Sequence, residues 1–521
     1  MQIVNIIQRK TEIITKNIVF SLLIIIAISL VFRLYNFPFN IPLTLDADGY
    51  FLYAGDMSIL GKFPTSFNFP NNGWPIFLSI FYSVFHFSDF MDYMNLQRFL
   101  TVLLSISTII PVYLLCSRFF EKRIALVCTT LFAFEPKIIL NSTLGITEPL
   151  FILLGTIALF LFLSENKKFI YTSFIILGLF TIVRYEGFLL IMPLSIMFFI
   201  RFRKEQKVIL QYMIALSLFA LIILPMSYVR SETIGSDGII SHVSAGPKYY
   251  QHVSQFNAQS SENIFYNFII TGIINLTKYI GWSMIPIFLY FIPFGIYAIF
   301  KSKNIKNYTI VICLFTLLIP AFYAYSRDMQ DTRYLLIIYP IFCILAGFTI
   351  KRVFEKFKKE SLIVLILLTI VLSGSLVYLE IKKIDNEHER EAYAIAEEMI
   401  KRTKVINHSY AEEYSIEETK YFRSANLSVL EKFPTLSNDI EPLQFVETKD
   451  FDNIEKYLEF GNEKGLKYLI IDNSRKQPNF LKEIFNNEEK YDFLIKDFDS
   501  FDYNYRYHVK IFKIDYSKIN V

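Results

Sequence analysis

Long apolar runs alternate with short polar segments from the N-terminus to about residue 384. Two of the longest are IVFSLLIIIAISLVF at 18–32 and SLIVLILLTIVLSGSLVYL at 361–379. A helix of about 17–25 apolar residues crosses the hydrocarbon of a bilayer. The pattern therefore predicts about eleven membrane-spanning helices. They lie near residues 17–36, 97–117, 124–140, 147–163, 169–184, 187–201, 208–229, 280–300, 308–325, 334–350 and 361–380.

Composition supports a polytopic α-helical membrane protein. Only 19% of the residues are charged, against roughly 25% in soluble domains, which excludes an ordinary soluble enzyme. All four cysteines fall inside predicted spans, so neither a disulfide framework nor a zinc site is expected. The basic residues form short clusters and no face with aromatic platforms, so we expect no nucleic-acid partner.

The basic clusters predict the orientation in the membrane. If the N-terminus is cytoplasmic, every basic cluster between spans falls on the inner side, as the positive-inside rule requires. These clusters are Arg118/Lys122/Arg123, Lys167/Lys168, Arg201/Arg203/Lys204/Lys207, Lys301/Lys303/Lys306 and Lys351/Arg352/Lys356/Lys358/Lys359. The segment GWPIFLSIFYSVFHF at 73–87 would invert this pattern if it crossed the membrane, so we predict a juxtamembrane or interfacial helix. The C-terminal region is then extracytoplasmic.

Two domains are predicted. Residues 1–384 form a transmembrane domain with outer loops at 37–96 and 230–279, and residues 385–521 form a small α/β or α+β domain outside the membrane. The second domain contains strand-like stretches such as LKYLIID and YRYHVKIFKIDY, the latter alternating apolar and polar positions. The sequons at Asn407 and Asn426 are compatible with that side but add little.

Ionisable residues at the ends of the spans are candidates for function, because charge is costly at membrane depth. On the inner side they are almost all Lys and Arg. On the outer side acids and arginines are mixed: Asp46, Asp48, Arg98, Glu135, Glu148, Arg184, Glu186, Arg327, Asp328, Asp331 and Arg333. This mixture predicts a site for an anionic ligand with a carboxylate nearby.

Structural explanations remain open for each of these residues. Asp46 and Asp48 could be solvated loop residues, and Glu148 could favour a helix N-terminus through the helix dipole. Arg184 and Glu186 could pair across a tight turn. The remaining arginines (Arg98, Arg327 and Arg333) could anchor span ends. His242 and His252 are interpreted as surface residues, since their spacing matches no metal motif.

The order of these features resembles a known superfamily. An Asp pair opens the first outer loop, GWP and Arg98 follow, and then come TEPLFILLGTIALFLF, GLFTIVRYEGFLLIMPL and RYLLIIYPIFCILAG. Over roughly residues 15–350 the chain resembles the GT-C glycosyltransferases, in the branch of protein O-mannosyltransferases and aminoarabinose transferases. The resemblance implies a hexosyl or pentosyl transferase using a polyprenyl-phosphate sugar donor, with transfer to an acceptor hydroxyl on the outer face and inversion at the anomeric carbon. The C-terminal domain carries no such resemblance.

The resemblance also implies roles for individual residues. Asp46 corresponds to the catalytic base, with Asp48 as the second choice, because DAD departs from the Asp-Glu pair common in the family. Independently of the resemblance, the guanidinium fork suits phosphate oxygens, so Arg327 and Arg333, with Arg184 as a third candidate, would bind the donor phosphate. Glu148, Glu186, Arg98 and Tyr50 would contact sugar or acceptor, or support the site. No cofactor is certain, although Asp46 and Asp48 could hold a divalent cation.

The expected partners are a polyprenyl-phosphate sugar donor, a protein or lipid-glycan acceptor and membrane lipids. A WWDYG-type signature is absent, which disfavours transfer of a whole glycan to asparagine. The main alternative is a transporter or flippase of lipid-linked sugars. Transporters usually show repeated halves and polar groups near the midplane, whereas this chain has no internal repeat and places its acids at one interface. A membrane-anchored binding protein would leave the clustered charges unexplained.

Overall fold

The computed structural model describes most of the chain. The described residues are 2–44, 46–64, 71–87, 90–245, 264–301, 304–357, 360–403, 435–437, 451–463, 466–473 and 478–519. His252, the two sequons and part of the predicted outer loop 230–279 lie outside these ranges. The chain divides into two compact units. The first comprises residues 1–37, 63–77 and 96–383, and the second comprises residues 38–62, 78–95 and 384–521.

Helices dominate the described part of the chain. They are α1 (Gln2–Tyr35), α2 (Asp46–Leu60), α3 (Gly73–Val84), α4 (Phe90–Ser107), α5 (Ile109–Cys116), α6 (Lys122–Ala133), α7 (Pro136–Ser142), α8 (Glu148–Phe162), α9 (Lys167–Val183), α10 (Ile191–Phe202), α11 (Val208–Ile234), α12 (Ile264–Met284), α13 (Ile292–Lys301), α14 (Ile305–Ser326), α15 (Tyr339–Lys356), α16 (Glu360–Ile381), α17 (Glu387–Thr403), α18 (Ile454–Glu463) and α19 (Asn479–Asn486). Short 3-10 helices at Tyr185–Leu190 and Thr332–Ile338 lead into α10 and α15.

The predicted polytopic helical architecture is confirmed. Among the described residues, seven helices are long and apolar enough to cross a membrane, and eight if the pair α6 and α7, bent by 54°, forms one span. Other predicted spans are shorter or interrupted. The span predicted at 280–300 is not one helix, because α12 ends at Met284 and α13 begins at Ile292. Pro286 and Pro293 lie in this stretch, and proline interrupts helical hydrogen bonding.

Close helix packing in the first unit is built on glycines. A Cβ atom on Gly178 of α9 would lie 2.8 Å from the Cβ atom of Ile222 in α11. Gly155 of α8 approaches the ring of Phe180 in the same way, at 2.9 Å. These contacts bring α8 and α11 against α9, so the ends of α8 and α9 that carry charged residues lie in one tightly packed group.

The second unit contains an antiparallel sheet. Its strands are β1 (Thr435–Ser437), β2 (Leu466–Asp472), β3 (Leu494–Asp499) and β4 (Val509–Ile514), in the order β1-β2-β4-β3. The predicted strand is present as β4, but it is buried on both faces and not half-buried: Val509 and Ile511 join one apolar cluster, and Phe512 and Ile514 join another. The first cluster includes Ala392 and Ile395 of α17, and the second includes residues of α18 and α19.

Polar contacts attach α17 to the segment before β4. The Oε2 atom of Glu391 accepts hydrogen bonds from the backbone N–H groups of Arg506, at 2.9 Å, and Tyr507, at 3.1 Å. Arg506 also donates to Asp385 at 3.0 Å. Two hydrogen bonds lower the pKa of Asp385. The larger effect comes from the backbone N–H of Glu387, and the smaller comes from the Arg506 side chain. The small C-terminal sheet domain expected from the sequence is therefore present, with helices packed on both faces of its sheet.

Candidate active site

A pocket in the first unit brings together four of the predicted site residues. Its empty space of about 400 Å³ is continuous with open solvent. Its charged lining consists of Glu148, Arg184, Glu186 and Arg333. The rest of its lining is apolar or aromatic and consists of Phe151, Ile152, Leu317, Pro320, Tyr334 and Ile337. The structure thus places acids and arginines from three separate parts of the sequence around one pocket.

Arg184 lies at the centre of the charged group. It follows the last residue of α9 in an extended conformation, with φ −143° and ψ 125°. Its Nη1 atom donates to Glu148 Oε1 at 2.7 Å, and its Nη2 atom donates to Glu186 Oε1 at 2.9 Å. The Nε–H group adds a longer hydrogen bond to Glu186 Oε2 at 3.4 Å. One guanidinium therefore joins two carboxylates, and the exposed fractions of the three side chains are only 14%, 6% and 12%.

Glu148 is held by its position as well as by Arg184. It is the first residue of α8, followed by Pro149, so its negative charge lies where the helix dipole favours it. The neighbouring Thr147 hydroxyl accepts a hydrogen bond from Arg184 Nη1 at 3.3 Å. The two structural explanations left open by the sequence, a helix N-terminus for Glu148 and a local pair for Arg184 and Glu186, thus describe contacts that are present. Both contacts lie in the pocket wall.

Aromatic rings form the apolar part of the pocket around Arg184. Phe151 of α8 stacks on Phe180 of α9 with ring centroids 3.9 Å apart. The Arg184 guanidinium carbon lies 5.8 Å from the Phe151 centroid and 6.0 Å from the Tyr334 centroid, within the range of cation–π attraction. Sequence reasoning missed Tyr334. The available signal was its place directly after Arg333 in the segment RYLLIIYPIFCILAG.

Arg333 differs from Arg184 in its access to solvent. Its side chain is 34% exposed, and its Nε atom donates to Asp331 Oδ2 at 2.5 Å. The backbone N–H of Arg333 donates to the other oxygen of Asp331 at 2.8 Å. The Asp331 carbonyl accepts from the Tyr325 hydroxyl at 2.8 Å, which ties this loop to the end of α14. Arg333 is thus the more accessible of the two arginines in the pocket lining.

Two predicted site residues of the first unit do not line this pocket. Arg327 is exposed, directly after α14, and lies over the Tyr323 ring at 5.6 Å. Arg98 is 5% exposed within α4. Glu135, another candidate from the sequence, lies fully buried between α6 and α7, with Lys137 Nζ at 3.8 Å from its Oε1 atom. Arg98 and Glu135 are therefore both buried and lie outside the pocket lining.

The remaining predicted residues belong to the second unit. Asp46 and Asp48 lie in the first turn of α2, where negative charge is favoured, so they begin a helix and are not plain loop residues. Asp46 is exposed and Asp48 is half-buried. Tyr50 is 7% exposed in the same helix. Within the described ranges, no group of three or more His, Cys, Asp or Glu side chains is arranged to hold a metal ion.

His242 is not the surface residue expected from the sequence. It is half-buried, and its ring centroid lies 5.6 Å from that of Tyr185, the residue between Arg184 and Glu186. Burial, reinforced by Arg230, lowers the pKa of His242, which favours the neutral imidazole. Its position follows from a turn in which Asp237 accepts from the backbone N–H of Ile240 at 2.7 Å and of Ser241 at 2.8 Å. Nothing in the local sequence indicated this contact.

Comparisons with known proteins place these features in a family context. Residues 73–228 match the family described as dolichyl-phosphate-mannose-protein mannosyltransferase. A comparison with curated proteins gives no match. Among solved structures, the apo oligosaccharyltransferase of Archaeoglobus fulgidus superposes with a TM-score of 0.57 at 13% identity, covering 87% of this chain and 69% of that one.

Two further structures contain lipid phosphates. The Archaeoglobus fulgidus oligosaccharyltransferase AglB in complex with an inhibitory peptide and a dolichol-phosphate gives a TM-score of 0.54 at 13% identity, covering 87% of this chain and 69% of that one. ArnT from Cupriavidus metallidurans bound to undecaprenyl phosphate gives 0.47 at 13% identity, covering 78% and 73%. At identities this low, the similarity to the oligosaccharyltransferase structures is evidence for the fold alone. The resemblance seen in the sequence is confirmed: the chain has the fold of the GT-C glycosyltransferases, and its residues 73–228 match the dolichyl-phosphate-mannose-protein mannosyltransferase family.

Proposed function

We propose that this chain transfers a sugar from a polyprenyl-phosphate-linked donor to an acceptor hydroxyl on the outer face of the membrane. The observation that carries the proposal is the pocket in which Arg184 and Arg333 lie with Glu148 and Glu186. Three of these four residues fall inside the segment 73–228 that matches the mannosyltransferase family. The dolichol-phosphate in one complex of the Archaeoglobus fulgidus enzyme supports the choice of a lipid phosphate.

In this proposal the two arginines have different tasks. Arg333 is about one-third exposed and binds the phosphate oxygens of the donor, for which the planar guanidinium fork is well suited. Arg184 is already shared by two carboxylates, so its positive charge is largely compensated before any ligand arrives. It keeps Glu148 and Glu186 in place, and these acids face the hydroxyl groups of the sugar.

The proposed reaction is a direct displacement. The carboxylate of Asp46 takes the proton of the acceptor hydroxyl while its oxygen attacks the anomeric carbon. The bond between that carbon and the phosphate oxygen breaks, and the polyprenyl phosphate leaves with the electron pair. Attack opposite the leaving group inverts the anomeric centre. Asp48 is the second choice for the base.

Transfer can be measured directly. Purified protein in lipid vesicles is given polyprenyl-phosphate sugars labelled in the sugar, together with membrane acceptors. We expect label in the acceptor fraction and release of unsubstituted polyprenyl phosphate in equal amounts. Movement of the intact donor between leaflets, with no product, would contradict the proposal and favour a flippase.

Arg333→Gln is expected to weaken donor binding. Hydrogen bonds to charged groups contribute about 1.5–3 kcal/mol, which corresponds to a loss of affinity of about tenfold or more. The measurement is the dissociation constant of undecaprenyl phosphate for protein in nanodiscs. Arg352→Gln is the matched control, because Arg352 is exposed and stacks on Tyr297 at 5.5 Å, outside the pocket lining. Equal affinities for the two variants would exclude Arg333 as the phosphate ligand.

The orientation can be tested with single cysteines. All four native cysteines are buried, so background labelling by a membrane-impermeant maleimide is expected to be low. Glu489 and Lys204 are both exposed and lie in the C-terminal domain and in a basic loop, respectively. In intact cells we expect Glu489→Cys to react and Lys204→Cys to react only after the membrane is permeabilised. The reverse result would place the C-terminal domain in the cytoplasm.

A further inference from the structure

The segment Asn72–Gly73–Trp74 lies at the start of α3 and has no part in the proposed chemistry. All three residues are buried, with Asn72 and Trp74 at 0% exposure. From the sequence it belongs to a short juxtamembrane helix, a setting that does not require full burial. We call these residues the NGW segment. Each of them contacts a different part of the first unit.

Trp74 fixes the turn that precedes Glu148. Its indole Nε1–H donates to the Gly145 carbonyl at 3.2 Å, and the Gln97 amide donates to the same oxygen at 2.7 Å. Gly145 has a φ of +79°, in the left-handed region that favours glycine. Because two buried donors converge on one carbonyl three residues before Glu148, the start of α8 has little freedom to move.

Gly73 packs on the backbone that precedes Arg184. A Cβ atom at Gly73 would lie 2.7 Å from both the Cα and the N atom of Val183, the last residue of α9. These are backbone atoms and cannot turn aside as a flexible side chain could. The position of the NGW segment therefore determines the position of the residue adjacent to Arg184.

Asn72 attaches the segment to the end of α11. Its Oδ1 atom accepts from Arg230 Nη1 at 2.5 Å, and Arg230 is fully buried. Gly238, with a φ of +74°, leaves room for that arginine, since a Cβ atom there would lie 2.5 Å from Arg230 Cδ. Asn72 thereby attaches the segment to α11, in addition to the contacts that Gly73 and Trp74 make with α9 and with the turn before α8.

We propose that the NGW segment is a positioning element that holds Glu148 and Arg184 at the distance at which they pair in the pocket. The contacts reach two positions that are far apart in the chain, Gly145 before α8 and Val183 at the end of α9, and the two charged residues meet at 2.7 Å just beyond these points. A displacement of either position by about 1 Å would break that hydrogen bond, and misplacement of this size can reduce a rate about 100-fold. The inference rests on the proposed function of the pocket, because the group that needs this geometry is the sugar of the donor, whose hydroxyl groups Glu148 and Glu186 face.

The first test requires no ligand. Melting temperatures of Trp74→Phe, Glu148→Gln and the double variant form a cycle, in which phenylalanine keeps a ring but removes the N–H donor. We expect the double variant to lose less than the sum of the single losses, because both changes disturb one coupled unit. The control cycle pairs Trp74→Phe with Lys167→Gln, which breaks an exposed ion pair with Glu205, and should be additive. Additivity in both cycles would overturn the proposal.

The second test uses Trp74 as its own reporter. The chain has two tryptophans, and Trp282 is 54% exposed, so Trp282→Phe leaves the buried indole of Trp74 alone. We expect a polyprenyl-phosphate sugar donor, whose sugar would contact Glu148, to change the Trp74 emission with the half-saturation found in a direct binding assay. Binding without any change in emission would contradict a coupled segment. If no binding occurs, the proposed function fails, whereas the ligand-free cycle still decides the positioning role.

Discussion

Arg184→Gln is expected to destabilise the protein by about 3–5 kcal/mol, the cost of removing one partner from a buried ion pair. The loss is large because two acids depend on this one guanidinium, at 2.7 Å from Glu148 and 2.9 Å from Glu186. Without it, two carboxylates with exposed fractions of only 6% and 12% lose the cation that they share. The measurement is denaturation in mixed detergent and SDS micelles, followed by circular dichroism.

A matched pair on the protein surface provides the control. Lys167 and Glu205 form a shorter contact, at 2.6 Å, but their side chains are 47% and 31% exposed. Exposed pairs contribute at most about 1 kcal/mol, so Lys167→Gln should cause only a small loss. Neutralising both acids together with Arg184 should recover part of the stability, because no buried charge is then left unpaired. If Arg184→Gln is no more harmful than Lys167→Gln, the charged group does not stabilise the fold.

The sequence was sufficient for the fold class and for part of the site. Apolar runs locate membrane helices because the thickness of the bilayer sets their length. The cost of charge in a membrane likewise made Glu148, Arg184, Glu186 and Arg333 stand out, and these four line one pocket. The pattern could not indicate which acid pairs with which arginine, because the hydrogen bond from Arg184 to Glu148 joins positions separated by 36 residues.

Other misses have equally specific causes. Counting apolar residues predicted one helix at 280–300, although Pro286 and Pro293 were visible breaks within it. The segment predicted as a short helix at 73–87 contains α3, but the local pattern could not indicate that the Trp74 indole donates to Gly145, 71 residues away. In the C-terminal domain, alternation identified strands, but the pairing of β2 with β4 is a long-range choice that local pattern does not encode.

Catalysis should depend most strongly on the base. Asp46→Asn is expected to lower the rate of sugar transfer by about 100- to 10,000-fold, the range typical for loss of a general base. The substitution keeps the size of the side chain and removes its negative charge and its ability to accept a proton. Because Asp46 is exposed in the first turn of α2, the free energy of unfolding should change by no more than about 0.5 kcal/mol. The affinity for undecaprenyl phosphate should also stay unchanged, which separates this variant from Arg333→Gln.

Asp48→Asn decides between the two acids of this helix. The carboxylate of Asp48 is half-buried, two residues after Asp46 in the same first turn. If Asp46 is the base, Asp48→Asn should retain most of the transfer rate, and its main effect should fall on stability, because a half-buried group is exchanged. A collapse of transfer in Asp48→Asn with normal transfer in Asp46→Asn would move the base to Asp48. Normal transfer in both variants would show that neither carboxylate takes the proton, so the assignment drawn from the family resemblance would be wrong.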